Sequence, residues 1–262
     1  MTIILKPEHI ISIDSSLCTR CGMCLNDCPD NVLILSDKSA EYTGRFCVKC
    51  GHCVAICPQN AVSISGFADS PEDIDPYNKV DPEILLTQIK SRRSMRQFTE
   101  KDVPTEVIAK IIEAGRYTPT GGNKQGVSYV IIRENRDEVE KIAISAIRRL
   151  KSLLKLFRPY MKHIEIDDHF LFKGAPVVIL VKSSDILDGA LAASAMELMA
   201  QSLGLGVLYS GFFTLAVRRS RKLRRMLSVA SKEKAVTTLV IGNPAVSYLR
   251  TAQRESAQVV YK

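Results

Sequence analysis

Eight cysteines near the start of the chain form two copies of one spacing. In each copy, three cysteines stand three positions apart, and a fourth follows after three intervening residues and precedes a proline. The first copy comprises Cys18, Cys21, Cys24 and Cys28, and the second comprises Cys47, Cys50, Cys53 and Cys57. Because no cysteine lies in the remaining 205 residues, any chemistry that needs thiolates is confined to this segment.

Three kinds of chemistry compete for these thiols. Disulfides need an oxidising compartment, and the first ten residues, MTIILKPEHI, lack the basic and apolar regions of a secretory signal. Structural zinc takes pairs of Cys-x-x-Cys and has no use for a third step followed by Cys-Pro. A [4Fe–4S] cubane takes three closely spaced thiolates from one repeat and its fourth ligand from the other.

We therefore expect two [4Fe–4S] clusters with crossed ligand sets. The first cluster would be held by Cys18, Cys21, Cys24 and Cys57, and the second by Cys47, Cys50, Cys53 and Cys28. The repeat continues past the cysteines, since Pro29-Asp30-Asn31 corresponds to Pro58-Gln59-Asn60. Residues 10–66 resemble the bacterial two-cluster ferredoxin module. This resemblance implies an electron-transfer domain whose small core is held together by its clusters.

An acidic connector separates this module from a basic remainder. Residues 66–82, GFADSPEDIDPYNKVDP, contain three prolines and five acids, a composition typical of linkers. The net charge of +8 is uneven, because residues 1–66 hold 5 Lys/Arg against 6 Asp/Glu and residues 83–262 hold 30 against 17. The expected division is a ferredoxin domain over 1–66, a linker over 67–82 and a second domain over 83–262.

Four motifs in the second half could hold a phosphorylated cofactor. Residues 91–98 read SRRSMRQF, and their charged donors suit a phosphate, although a solvated basic helix end would look the same. Residues 117–125 read YTPTGGNKQ, in which glycines permit close backbone approach and amides both donate and accept hydrogen bonds. A helix-terminating turn would share that composition. The other two motifs are LYSGF at 208–212 and IGNP at 241–244, the latter followed by YLRTAQR at 248–254.

In this order and separation, the motifs resemble the nitroreductase family, which binds FMN between two subunits. The resemblance covers nearly all of residues 83–262 and implies a homodimer with FMN at the interface. The residues implied at the FMN phosphate and pyrimidine edge are Arg92, Arg93, Ser94 and Arg96. The segment implied to reach the FMN from the partner subunit supplies Pro119, Thr120, Gly121, Asn123 and Gln125, with a glycine where the family commonly has serine. The amides of Ser210 and Gly211 would face flavin N5, and Arg250 or Arg254 would return to the phosphate.

Several other kinds of site are not indicated by the sequence. No Rossmann fingerprint follows a strand, so NAD(P)H would have to stack on FMN in an open site. The basic segments 148–162 and 218–225 lack the aromatic residues and the fold of nucleic-acid-binding proteins. They favour a solvated face or a docking patch for an acidic electron carrier. The uncharged run 198–215 contains polar residues and three glycines, which argues against a membrane span.

Alternating helical and strand-like patterns predict the elements that position these motifs. Helices are expected to begin at Asp81, as N-cap, and to cover 104–116, 136–157, 187–203 and 215–227. Strands are expected at 128–133, 176–182 and 235–241. The predicted fold class is α+β, with a small ferredoxin-like two-cluster domain followed by a domain with a mixed sheet flanked by helices.

The two halves together predict an FMN-dependent oxidoreductase of the cytoplasm. Clusters would relay electrons to or from FMN, and a small electrophile such as a nitro-aromatic or a quinone would be reduced. NAD(P)H or a reduced ferredoxin would be the donor, and no side chain is expected to act as a catalytic acid or base. The alternative is an electron-transfer or sensing flavoprotein that exchanges electrons with a protein partner. A third hypothesis is an iron–sulfur protein whose second half has lost FMN.

Overall fold

The computed structural model of the protein describes residues 9–75, 77–157 and 164–262. One position of the expected linker, residue 76, lies outside the described residues. The same holds for residues 158–162 of the basic segment that begins at residue 148.

Contacts between Cα atoms divide the chain into two compact units. The first unit comprises the described residues up to Lys79 together with Gly121–Lys124. The second unit comprises Val80–Thr120 and Gln125–Lys262. The short segment Gly121–Lys124 therefore belongs to the cysteine-rich unit, although it lies between two long stretches of the other unit in the sequence.

The cysteine-rich unit contains two antiparallel strand pairs and two short helices. Strand β1 (Ile11–Ile13) pairs with β4 (Val62–Ile64), and β2 (Leu33–Leu35) pairs with β3 (Ala40–Tyr42). The helices are α1 (Met23–Asn26) and α2 (His52–Ala55). Their small core includes Ile11, Leu33 and Val62 together with the buried thiols of Cys24 and Cys53.

The sequence repeat is also a repeat of backbone conformation. The residues before α1 and α2, Gly22 and Gly51, have φ of 76° and 77°, a left-handed conformation that glycine adopts without a steric penalty. Asn31 and Asn60 follow the Cys-Pro pairs and are also left-handed, with φ of 51° and 50°. Asparagine tolerates this conformation better than most residues. The two cysteine segments therefore turn in the same way at equivalent positions.

A four-stranded sheet in the order β5-β6-β8-β7 runs through the second unit. Its strands are β5 (Ser128–Ile132), β6 (Val177–Ser183), β7 (Gly206–Tyr209) and β8 (Lys234–Gly242). All three pairings between neighbouring strands are antiparallel. One isolated bridge, between Ser94 and Val207 of β7, is parallel and makes the sheet mixed.

Helices cover both faces of this sheet. The helices packed on the sheet are α4 (Thr105–Arg116), α5 (Arg136–Phe157), α6 (Ile186–Ser202), α7 (Gly211–Arg219) and α8 (Arg221–Met226). Helix α3 (Pro82–Ser91) contacts α6. Alternate residues of the fully buried β6 point to opposite faces, so Ile179 packs in the core with α4 and α6, whereas Leu180 packs with α5, α7 and α8. The predicted α+β class is confirmed. Within the described residues, no helix combines the length and apolarity that crossing a membrane requires.

Helix α3 begins where the sequence predicts. The Asp81 side chain accepts hydrogen bonds from the backbone N–H groups of Glu83 and Ile84 at 2.8 and 2.9 Å, which is N-capping. The apolar residues of α3 do not enter a core, since Ile84 is 67% exposed and no residue of the helix is buried.

The predicted single helix over 215–227 is wrong. The structure has two helices there, α7 and α8, which meet at Ser220. Ser220 has an extended backbone, with φ −101° and ψ 112°, and its side chain accepts a hydrogen bond from the N–H of Leu223. A serine that caps a new helix interrupts an amphipathic pattern which would otherwise continue, and the apolar and basic periodicity alone does not reveal this.

Candidate functional site

The eight thiols of the first unit line two separate cavities. One cavity is lined by Cys18, Cys21, Cys24 and Cys57. The other is lined by Cys28, Cys47, Cys50 and Cys53. Each cavity thus takes three thiols from one repeat and a fourth from the other, which is the division that crossed ligand sets require.

The thiols around each cavity are of the kind that could hold an iron–sulfur cluster. Within the described residues, no three His, Cys, Asp or Glu side chains converge on a point that could hold one ion. The thiols surround a volume instead, as ligands of a cubane do. All eight cysteines are free of disulfide bonds. The donor set, four thiols around each cavity, fits an iron–sulfur cluster.

Backbone amides and burial set the properties of these thiols. The N–H groups of Lys49 and Ala61 donate to the sulfurs of Cys47 and Cys57 at 3.2 and 3.3 Å. Burial raises the pKa of Cys53 to about 11, so in the absence of metal this thiol is protonated at neutral pH. Cluster assembly must therefore displace protons from the site.

Asn123 lies in the same compact unit as these cysteines. Its side-chain amide donates to the carbonyl oxygens of Val48 and Lys49, at 3.0 and 2.7 Å. These two carbonyls lie between Cys47 and Cys50 in the sequence. The resemblance predicts Asn123 as an FMN ligand, and the structure shows its amide nitrogen in contact with the loop that carries the second set of thiols.

In the second unit, the SRRSMRQF segment (residues 91–98) pairs with β7, the strand at one edge of the sheet. Ser94 bridges Val207, and the N–H of Met95 donates to the Val207 carbonyl at 2.9 Å. A Cβ at Gly206 would come within 2.6 Å of the Met95 side chain, so this close approach requires glycine. The arrangement places Ser94 beside β7, the strand that leads directly into Ser210 and Gly211.

Arg92 ends helix α3 and is held in one orientation. Its Nη1 lies 3.0 Å from Oε2 of Glu197, and its Nε donates to the carbonyl of Ile89 at 3.3 Å. Nη2 has no recorded partner among the described residues and can donate to an anion. The sequence analysis missed Glu197, although a carboxylate in the middle of a largely apolar helix is a usable signal.

The other predicted donors on this segment are less constrained. Arg96 is exposed and donates to the carbonyl of Ser94 at 3.3 Å. Arg93 is half-buried and Ser94 is exposed. Pro119 is exposed, and Thr120 accepts a hydrogen bond from the N–H of Gln125 at 2.9 Å. The structure therefore leaves the Arg93, Ser94 and Arg96 side chains accessible without fixing their roles.

The turn at Ser210 and Gly211 differs in detail from the expectation. The N–H of Ser210 donates to the carbonyl of Thr238 at 2.9 Å, so it is engaged within the sheet. Gly211 is the first residue of α7, where backbone N–H groups have no acceptor within the helix. Of the two amides expected to face flavin N5, only that of Gly211 remains to do so.

The two C-terminal arginines are not brought to this site. Arg250 and Arg254 are exposed, and the one recorded bond, from Arg254 to the carbonyl of Gln253, is local. Among the described residues, neither contacts Arg92 or Ser94. Their expected return to the phosphate stays a prediction.

Tyr209 completes the group of polar residues around Arg92. Its hydroxyl lies 3.3 Å from Oε2 of Glu197 and 3.1 Å from the carbonyl of Ala193. Burial, followed by the neighbouring Glu197 carboxylate, raises the pKa of Tyr209 above its usual value. The hydroxyl therefore stays protonated and acts as a donor.

Comparisons with known proteins agree with both units. A family model described as the nitroreductase family matches residues 89–243, and one described as a 4Fe-4S dicluster domain matches residues 10–58. The chain belongs to the nitroreductase family.

The sequences of two relatives are identical to this chain at about a quarter of the aligned positions. A protein of Methanothermobacter thermautotrophicus, provisionally described as an NADH dehydrogenase/NAD(P)H nitroreductase, is 28% identical over an alignment of 176 residues. The alignment covers 64% of this chain and 81% of that protein. An NADPH-dependent oxidoreductase of Staphylococcus aureus strain USA300 is 25% identical over 62% of this chain and 66% of that protein. The chain thus spans just under two thirds of the staphylococcal relative.

Solved structures show the same fold for the second unit. A nitroreductase with bound FMN from Bacteroides fragilis has a TM-score of 0.55 at 21% identity, over 68% of this chain and 98% of that chain. A nitroreductase with bound FMN from Desulfitobacterium hafniense has a TM-score of 0.56 at 18% identity, over 68% and 97% of the two chains. At these identities, the likeness concerns the fold alone.

Proposed function

We propose that this protein is an FMN-dependent oxidoreductase in which two [4Fe–4S] clusters relay electrons to or from FMN. The observation that carries the proposal is the division of eight cysteines between two cavities in a chain that also contains a nitroreductase-family domain. FMN exchanges electrons singly or in pairs, whereas each cluster exchanges one at a time. Joining the two kinds of centre therefore connects single-electron carriers to two-electron chemistry.

The residues around Arg92 fit the phosphate end of FMN. Arg92 offers Nη2, which has no partner in the part of the chain that the structure describes, as a charge-assisted donor. Ser94 is held nearby through the bridge to β7. Gly211 is the first residue of helix α7. Apart from its chain neighbours and the backbone of its own helix, no atom of the described residues lies within 4 Å of the place where a Cβ would stand. This open approach supports a planar ring against the turn, and the structurally similar nitroreductases from Bacteroides fragilis and Desulfitobacterium hafniense have FMN bound.

We propose that the working unit is a homodimer with FMN at the subunit interface. Helix α3 exposes four apolar side chains, those of Ile84, Leu85, Leu86 and Ile89. Exposed apolar side chains that form one contiguous surface mark interaction sites. Association through this surface would remove them from water and would bring a second subunit next to the Arg92 segment.

The proposed substrate is a small electrophile such as a nitro-aromatic or a quinone, with NAD(P)H or a reduced ferredoxin as electron donor. The chain's own residues would bind and orient the cofactor. We assign no catalytic acid or base, since Tyr209 stays protonated and its hydroxyl is already bonded to Glu197 and Ala193. The eight free thiols and the cluster sites favour a reducing compartment, and we propose the cytoplasm.

A second candidate function is electron exchange with a protein partner without turnover of a small substrate. The observation that favours it is the basic helix α8, in which Arg221, Lys222 and Arg225 are exposed. Such a surface would attract an acidic electron carrier, and the association would weaken with added salt.

Anaerobic stopped-flow reduction distinguishes these functions. We expect NADH or NADPH to bleach the flavin absorbance first and the broader cluster absorbance afterwards, and a nitro-aromatic acceptor to reoxidise both over many turnovers. If only a reduced ferredoxin bleaches both signals, and nitro-aromatics and quinones do not reoxidise them, the second candidate function is correct. If no donor bleaches a flavin signal, the oxidoreductase proposal fails.

A further inference from the structure

Three side chains from three elements meet beneath the proposed phosphate site. Arg92 ends helix α3, Glu197 lies in helix α6, and Tyr209 ends strand β7. Oε2 of Glu197 lies 3.0 Å from Nη1 of Arg92 and 3.3 Å from the hydroxyl of Tyr209. A single carboxylate oxygen thus connects the α3 terminus to the turn that precedes Gly211.

This contact differs from an ordinary surface ion pair. The side chain of Glu197 is only 13% exposed, and a charge in such a place is costly unless it is paired. Nearby, the Gln88 amide donates to the carbonyl of Leu198 at 3.1 Å, which fixes α3 against α6 beside the pair. The arginine and the carboxylate are therefore held by packing as well as by their mutual attraction.

The hydrogen bonds leave one direction open on the guanidinium group. Nη1 faces Glu197 and Nε faces the carbonyl of Ile89. Nη2, for which no partner is recorded among the described residues, remains to bind an anion. An arginine whose other donors are already engaged loses less side-chain freedom when it binds a phosphate. The side chain of Arg92 is therefore already oriented in the folded protein, before a phosphate binds.

We propose that Glu197 is a positioning residue that orients Arg92 toward the phosphate of the flavin and, through Tyr209, links this donor to the turn beside the flavin ring. The inference rests on the proposed function, because it takes Arg92 as a phosphate ligand. Glu197 does not touch the cofactor. It acts through the direction of Nη2, and the amide oxygen of glutamine could accept the same hydrogen bond.

Flavin binding by the full chain tests this inference. Each variant would be prepared anaerobically with its clusters intact and stripped of flavin, and then titrated with FMN and with riboflavin, which lacks the phosphate. The readout is the dissociation constant from quenching of flavin fluorescence. Iron content and thermal unfolding of each variant would establish that it is folded.

We expect E197A to weaken FMN binding about ten-fold, the effect of losing one hydrogen bond between charged groups, and to leave riboflavin binding unchanged. E197Q should bind FMN at least as tightly as the parent, because the acceptor is kept and a negative charge near the phosphate is removed. Y209F should weaken FMN binding by a smaller factor than E197A, because Arg92 keeps its own bond to Glu197.

R92A separates the inference from the proposed function. If R92A does not change the ratio of FMN to riboflavin affinity, Arg92 is not a phosphate ligand and the proposed site is wrong. If R92A lowers that ratio and E197A leaves it unchanged, the site stands and the role of Glu197 is overturned. An E197Q variant as weak in FMN binding as E197A would also overturn it, since positioning by the acceptor would then be excluded.

Discussion

The carboxylate of Asp30 accepts a hydrogen bond from the backbone N–H of Val48 at 2.7 Å. Asp30 lies two residues after Cys28, and Val48 directly follows Cys47. The bond therefore ties the segment that carries Cys28, the fourth thiol of the second cavity, to the repeat that supplies the other three thiols. Gln59 occupies the equivalent place in the other repeat, and no such bond from its side chain is recorded among the described residues.

Removal of this bond should weaken the second cluster selectively. We expect D30A to lose iron faster than the parent when challenged with a chelator and to approach about four iron atoms per chain while the first cluster persists. The reason is that Val48 then has an unsatisfied amide, and the Cys28 segment loses its tie to the opposite repeat. The measurement is the time course of iron release.

Q59A is the matched control for D30A, because Gln59 makes no corresponding bond. It should lose iron at the rate of the parent protein. Equal rates of release for D30A and Q59A would show that the Asp30 bond does not support the cluster.

Paired cysteine substitutions should reveal the crossed ligand sets. The thiols of Cys28 and Cys47 line one cavity, so C28S/C47S should remove one cluster and leave about four iron atoms per chain. The thiols of Cys24 and Cys28 belong to one repeat but line different cavities, so C24S/C28S should remove both clusters. Iron content and the EPR spectrum of the reduced protein measure the outcome. The reverse pattern would mean that each repeat holds its own cluster.

Much of the arrangement around the thiols was predictable from the sequence, because spacing alone fixes how closely three cysteines can approach one centre. The start of α3 was predictable for a similar reason, since an aspartate before a proline satisfies the first amides of a helix locally. Tertiary contacts decided what the sequence could not show. The Ser210 amide bonds to Thr238, which is 28 residues away, and Arg92 pairs with Glu197 across 105 residues.

The side chain of Asn123 should influence the second cluster. Its amide donates to both carbonyls between Cys47 and Cys50, so N123A would free that loop to move. We expect the EPR signal of the second cluster to broaden or shift while that of the first stays unchanged. K124A, a change at the neighbouring exposed residue, should leave both signals as they are. Identical spectra for N123A and the parent would contradict this prediction.

Glu233 should make the stability of the protein depend on acid pH. Burial alone would raise the pKa of Glu233, but hydrogen bonds from the Ala230 N–H, the Ser128 hydroxyl and the Lys182 ammonium outweigh it and lower the pKa below the usual 4.5. A carboxyl group whose folded-state pKa is depressed contributes its full stabilisation at pH values above the pKa that it has in the unfolded chain. That stabilisation is lost as the pH falls through the folded-state pKa.

E233Q should remove this pH dependence and destabilise the protein at neutral pH by about 2 kcal/mol, because the buried Lys182 ammonium loses its charged partner, although it keeps the carbonyl of Ser228 as an acceptor. Urea unfolding at several pH values between neutral and 4 would measure the difference in the free energy of unfolding between E233Q and the parent. This difference should become smaller below pH 4.5. The exposed Glu134 offers a control, since E134Q should match the parent at every pH. A constant difference between E233Q and the parent across this range would refute the assignment.

A charge on helix α3 should disrupt the proposed dimer. Ile84 is 67% exposed in the single chain, and I84E would place a carboxylate where association is expected to bury an apolar side chain. We expect I84E to elute as a monomer in size exclusion with light scattering and to lose FMN. K222E changes an exposed residue of α8 and should remain dimeric. A dimeric I84E with normal FMN content would place the interface elsewhere.

The central claim is that one chain carries two iron–sulfur cubanes and a flavin. Its most direct test is the content of iron, acid-labile sulfide, zinc and FMN in the full chain purified without oxygen. We predict about eight iron atoms and about eight sulfides per chain, together with one FMN and no zinc. Colourless protein that contains zinc but neither sulfide nor flavin would contradict the claim.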